Sequence, residues 1–141
     1  MNQLLDEMRG ETSLPLEQAL FSAFMEMLSR DMNYFTVQVP STKLAKGISM
    51  IVDARFELEV QLFYARDEIG GFMPPSIRGE LTSQNWIIVA DRYGQKYAGA
   101  KTTCTRGETV QAAERVCKAL ELLGAPQKKT WTLEPEFKYI F

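Results

Sequence analysis

The chain has 141 residues, 45% of them hydrophobic and 24% charged, with a formal net charge of −2 at pH 7. That length suits one domain able to bury about two-thirds of its unfolded surface, and the balance argues against both a disordered chain and a generally basic nucleic-acid binder. No apolar run reaches the ~18 residues of a membrane span, and the acidic start lacks the basic and apolar regions of a secretory signal, so a cytoplasmic protein without membrane contact is expected.

In chain order, residues 1–10 form a short amphipathic piece, with Leu4, Leu5 and Met8 at helical spacing and Gly10 closing it. The first long helix is predicted over 15–30, with Ser13 as N-cap, Pro15 in the first turn and Glu17 complementing the dipole. Leu16, Ala19, Leu20, Ala23, Phe24, Met27 and Leu28 form one stripe, and Phe21 and Met25 fall well round from its centre. The apolar arc then covers about two-thirds of the circumference at ~100° per residue, more than one sheet face hides.

Strands follow. Residues 34–39 put Phe35, Val37 and Val39 on one face, and Pro40 ends the run. Residues 48–52 are nearly all apolar. Residues 55–65 alternate Phe56, Leu58, Val60, Leu62 and Tyr64 with Glu57, Glu59 and Gln61, the pattern of a strand with one covered face. A loop is predicted over 67–79, containing Gly70, Gly71, Phe72, Met73, Pro74 and Pro75. Residues 86–90 form the next strand, 92–95 its turn, and 97–103 the returning arm, whose Ala98, Gly99 and Ala100 suit a bulge or a close approach.

The second long helix opens on Thr105-Arg106-Gly107-Glu108, which has capping-box spacing, and carries Ala112, Ala113, Val116, Cys117, Leu120 and Leu123 on one side. Gly124 stops it and Pro126 follows. The tail over 125–141 holds an expected last strand at 130–133, then Pro135, then Phe137, Tyr139 and Phe141 in alternation. Helix, strands, helix and tail in that order predict one α+β domain over 1–141. Its expected form is an antiparallel sheet of five to six strands packed by an N-terminal and a C-terminal helix.

Histidine is absent, which excludes Ser-His-Asp and Cys-His catalysis and His-ligated zinc. Cys104 and Cys117 form no CxxC and read as ordinary buried thiols. The glycines at 70–71 match neither a P-loop nor a dinucleotide fingerprint, so no cofactor and no metal is expected. Asp53, Glu57, Glu59, Asp67 and Glu68 resemble the solvated face of a half-buried strand more than a carboxylate centre; a histidine-free carboxylate or metal enzyme built on Glu57 and Glu59 is the third-ranked reading.

A basic and aromatic set, Arg92, Tyr93, Lys96, Tyr97, Lys101 and Arg106 with Lys128, Lys129 and Trp131, has the composition of a nucleic-acid surface and is the second-ranked reading. Within 86–124, Gly94, Gly99 and the run from Ala112-Ala113 to Leu123-Gly124 give a hairpin-then-helix order that resembles the last two strands and closing helix of a double-stranded-RNA-binding domain. The helix start Arg106-Gly107-Glu108-Thr109 departs from the lysine-rich start of that family.

The first-ranked reading is a non-enzymatic interaction protein, an adaptor, small chaperone or inhibitor that binds a protein partner and pairs as a homodimer. Its contact residues are Phe21 and Met25 on one surface, with Phe72, Met73, Phe137, Tyr139 and Phe141 on another, because methionine and aromatic side chains suit adaptable interfaces.

Overall fold

The computed structural model describes residues 14–44, 46–64 and 73–141. The element order is α1 (Leu16–Ser29), β1 (Tyr34–Val39), β2 (Ile48–Asp53), β3 (Leu58–Tyr64), α2 (Pro75–Ser83), β4 (Ile87–Val89), β5 (Gly99–Cys104), α3 (Thr109–Leu122) and β6 (Glu136–Lys138). The fold is α+β, with a six-stranded sheet in the order β4-β5-β3-β2-β1-β6 whose neighbours are all antiparallel.

Strand alternation decides the layering. Phe35, Val37 and Val39 of β1, Ile48, Met50 and Val52 of β2, and Leu58, Val60, Leu62 and Tyr64 of β3 are buried on one face. Against that face lie α1 and α3, packed on each other. Ala19 and Ala23 of α1 and Ala112, Ala113 and Ala119 of α3 are buried. Phe24 reaches down to Phe35 with ring centroids 5.9 Å apart. Cys117 lies by Glu17 and Met25 by Thr109, so the two helices run antiparallel.

The three helices among the described residues end in the same hydrogen-bonded motif. Beyond α1, Asp31 N–H donates to Leu28 and Met32 N–H to Met27; beyond α2, Asn85 donates to Thr82 and Trp86 to Leu81; beyond α3, Gly124 donates to Glu121 and Ala125 to Leu120. Each is a Schellman cap, and Asp31, Asn85 and Gly124 all have the positive φ it requires. Met27, Leu81 and Leu120 are fully buried, as are Trp86 and Ala125 nearly so, with Met32 packed at the core's edge.

Several expectations are corrected by the structure. The segment 67–79 is not a loop throughout, because Pro75 starts α2 at a position where a missing N–H costs nothing. Phe56 is not a core residue: β3 begins only at Leu58, and Phe56 stands in the turn, 86% exposed. The last strand is β6 rather than 130–133, where Trp131 makes a single bridge with Leu14. The capping box is half formed. Glu108 Oε1 accepts from the Thr105 N–H and hydroxyl, at 3.0 and 2.8 Å, but α3 starts only after Glu108. The expected helix at 1–10 and the Ser13 cap lie outside the described residues, and Pro15 occupies the N-cap position of α1.

Candidate functional site

At the seam between α1 and α3, Phe21 and Met25 lie one turn apart on α1, with 37% and 43% of their surfaces exposed. The Thr109 hydroxyl of α3 donates to Met25 Sδ at 3.7 Å, and the next residue of α3, Val110, is 60% exposed. Phe21 and Met25 project where the wide arc of α1 outruns the cover offered by the sheet and α3. Val110 is an exposed apolar residue that sequence reasoning missed; a valine in the first turn of a helix otherwise polar on its outer side was the available signal.

The other predicted contact residues separate. Phe72 lies outside the described residues. Met73 is fully buried, its N–H donating to the Tyr97 carbonyl at 2.7 Å, so it is core and offers no surface to a partner. Phe137 is half-buried, edge-on to Phe35 at 5.5 Å, with the Arg30 guanidinium 5.0 Å from its ring. Tyr139 and Phe141 are exposed and meet edge to face at 5.3 Å. The Asn33 amide holds this segment like a strand: its Nδ2 donates to the Ile140 carbonyl at 2.6 Å, and Ile140 N–H donates to its Oδ1 at 2.7 Å.

The basic and aromatic set is not gathered on one surface. Arg92 stacks over Tyr93, with Nη2 2.7 Å from the Tyr93 hydroxyl, and the Arg78 guanidinium covers the Tyr97 ring at 3.8 Å. Lys101 lies on the sheet face opposite α1 and α3, 3.3 Å from Glu59. Arg106 follows the far end of β5, a six-residue strand and therefore about 20 Å from the turn that holds Tyr93. Lys128 sits over Trp131, beyond α3.

The acidic residues also divide. Asp53 and Arg55 close the β2–β3 turn through a two-pronged pair, Nη2 to Oδ2 at 2.8 Å, and that guanidinium holds the Asp53 carboxyl below its usual range. Glu57 falls in the turn, off the strand that carries Glu59. Among the described residues no group of three or more His, Cys, Asp or Glu side chains could hold a metal ion.

Both thiols are free and buried. Burial raises the Cys104 thiol above its ordinary value, and outweighs the opposing Arg115 guanidinium, whose Nη1 lies 3.4 Å from the sulfur. Cys117 is pushed up to about 12, by burial first and then by the Glu121 carboxylate beside it.

The sheet face opposite α1 and α3 has a feature the sequence reading did not single out. Ile51, Phe63 and Tyr93 border a groove of about 480 Å³ whose rim includes Ser49, Gln61 and Arg92. Phe63 lies opposite Gly99 in the β3–β5 register, and a Cβ at Gly99 would fall within its ring atoms. A second groove, of about 370 Å³, runs beside β1 and is lined by Thr36, Val37, Gln38, Thr132, Glu134 and Glu136.

Comparison with protein-family models, with curated proteins and with solved structures finds no match for this chain. No helix among the described residues is long and apolar enough to cross a membrane.

Proposed function

We propose that this protein works by binding another protein, as an adaptor, small chaperone or inhibitor, and has no catalytic activity of its own. The observation that carries this reading is the exposure of Phe21 and Met25, one turn apart on α1, at the seam where Met25 meets Thr109 of α3. Neighbouring large apolar side chains left in water are a usual component of a partner site. The exposed pair Tyr139 and Phe141, tied down by Asn33, supplies a second, pre-ordered anchor, and ordering an aromatic pair in advance lowers the entropy lost on binding. A homodimer belongs to the same reading, with the seam of one copy facing that of another. Two free, buried cysteines agree with a reducing compartment such as the cytoplasm.

The test is affinity capture from the native host with and without nuclease, run beside light scattering of the purified protein. Phe21→Asp with Met25→Asp is expected to abolish partner capture or the dimer while leaving the melting temperature within a few degrees. Unchanged capture and unchanged mass in that variant would remove the seam from the proposal. Capture that collapses on nuclease treatment would replace protein binding with nucleic-acid binding.

A further inference from the structure

The outer strand β6 covers only part of β1. Its register runs Tyr34↔Lys138, Phe35↔Phe137 and Thr36↔Glu136, and there it stops. Pro135 has no N–H to give a ladder, and the chain before it leads back to Trp131, which bridges to Leu14. Val37, Gln38 and Val39 therefore pair with β2 on one side and have no strand on the other among the described residues. The 370 Å³ groove lies along this stretch. Val37 lines it although its side chain is in the core at 5% exposure, so Val37 presents main chain to the groove. Glu134 and Glu136 add two carboxylates, neither in an ion pair among the described residues, and no Lys or Arg lines the groove.

We propose that this groove receives an extended, Lys- or Arg-bearing segment of a partner protein, which adds as a strand along Val37–Val39 in line with β6. An unpaired strand edge presents N–H and C=O groups at strand spacing, and another strand is the chain conformation that satisfies them in turn. The open stretch is three residues, about 10 Å, so main-chain bonds alone give modest affinity. The two carboxylates supply the selection: they attract a cationic side chain on the incoming strand, and they repel acidic segments and phosphate backbones. This inference rests on the protein-binding reading but uses none of the seam residues.

The experiment uses the full chain and a fluorescein-labelled peptide, Thr-Val-Lys-Val-Lys-Thr, with anisotropy as the affinity readout and amide hydrogen exchange as the locator. The peptide is expected to bind, to weaken about tenfold against Glu134→Lys with Glu136→Lys, and to slow exchange within 37–39. A peptide with Glu in place of Lys, and one N-methylated at alternate residues, are expected to bind far more weakly. Absence of binding at millimolar peptide overturns the proposal. So does binding that survives N-methylation without slowing exchange at 37–39, and so does tighter binding of a single-stranded RNA at the same residues. The Phe21→Asp, Met25→Asp variant separates the two readings, because peptide binding is expected to persist there when seam-dependent capture is lost.

Discussion

Asp31, Asn85 and Gly124 occupy the same left-handed position after three different helices, and the sequence marks the three unequally. Only Gly124 is the residue that conformation favours; Asp and Asn adopt it at a cost that their short polar side chains reduce. Asn85→Gly is therefore expected to stabilise the fold by about 0.5 kcal/mol, the relief of the left-handed strain less the added freedom of the unfolded chain. Gly124→Ala goes the other way. Its φ is +101°, and a Cβ there would meet Ser41 Oγ and the Lys43 side chain, on a loop that Ser41 fastens to the Leu123 carbonyl at 2.9 Å. A loss of roughly 1–2 kcal/mol is expected, and urea denaturation of the two variants beside the wild type checks both signs.

At the scale of elements, β3 and β5 are joined by a shape match as well as by hydrogen bonds. Phe63 lies across the space left by Gly99, so Gly99→Val is expected to cost about 1–3 kcal/mol through overpacking. Gly99→Val combined with Phe63→Ala should cost less than the sum of the single changes, and a double-mutant cycle gives that coupling directly. The β2–β3 turn predicts a pH effect. The folded Asp53 carboxyl titrates below its unfolded value of 3.8, chiefly through the hydrogen bonds from Arg55. Its contribution to stability is thus present above pH 3.8 and disappears as the pH falls through the lower folded value. Asp53→Asn should make the stability curve shallower below about pH 4, as thermal melts between pH 2 and pH 5 would reveal; an unchanged slope would deny the pair a role.

Across the whole molecule, one buried cluster joins both long helices, the inner sheet face, Leu81 and Trp86 near β4, and Trp131 by the start of α1. Such a shared core predicts all-or-none unfolding. Trp86 and Trp131 are the two tryptophans of the chain, and Trp86→Phe and Trp131→Phe leave a single fluorophore at either end of the core. After allowance for each variant's stability, fluorescence and far-ultraviolet circular dichroism are expected to report one transition; separate midpoints within one variant would show two folding units.

The elements most legible in the sequence were those whose pattern is local: β1 at its full length, the two long helices from their apolar stripes, and the Gly124 stop. Phe21 and Met25 were legible as residues beyond one covered face, because helical periodicity fixes their angle to Phe24 whatever packs nearby. Alternation along 55–65 was less reliable, since Phe56 continues the pattern into a turn and only the pairing of Leu58 with Cys104 sets where β3 starts. Helix α2 escaped notice because Pro and Gly dominate its surroundings and one of its residues, Leu81, is buried. Met73 and the groove beside β1 could not be read in advance for a common reason. Local chemistry determines which faces of each element are apolar, but whether a given apolar side chain is covered, and which strand edge is left open, depends on partners far away in sequence that only the assembled sheet and helices bring together.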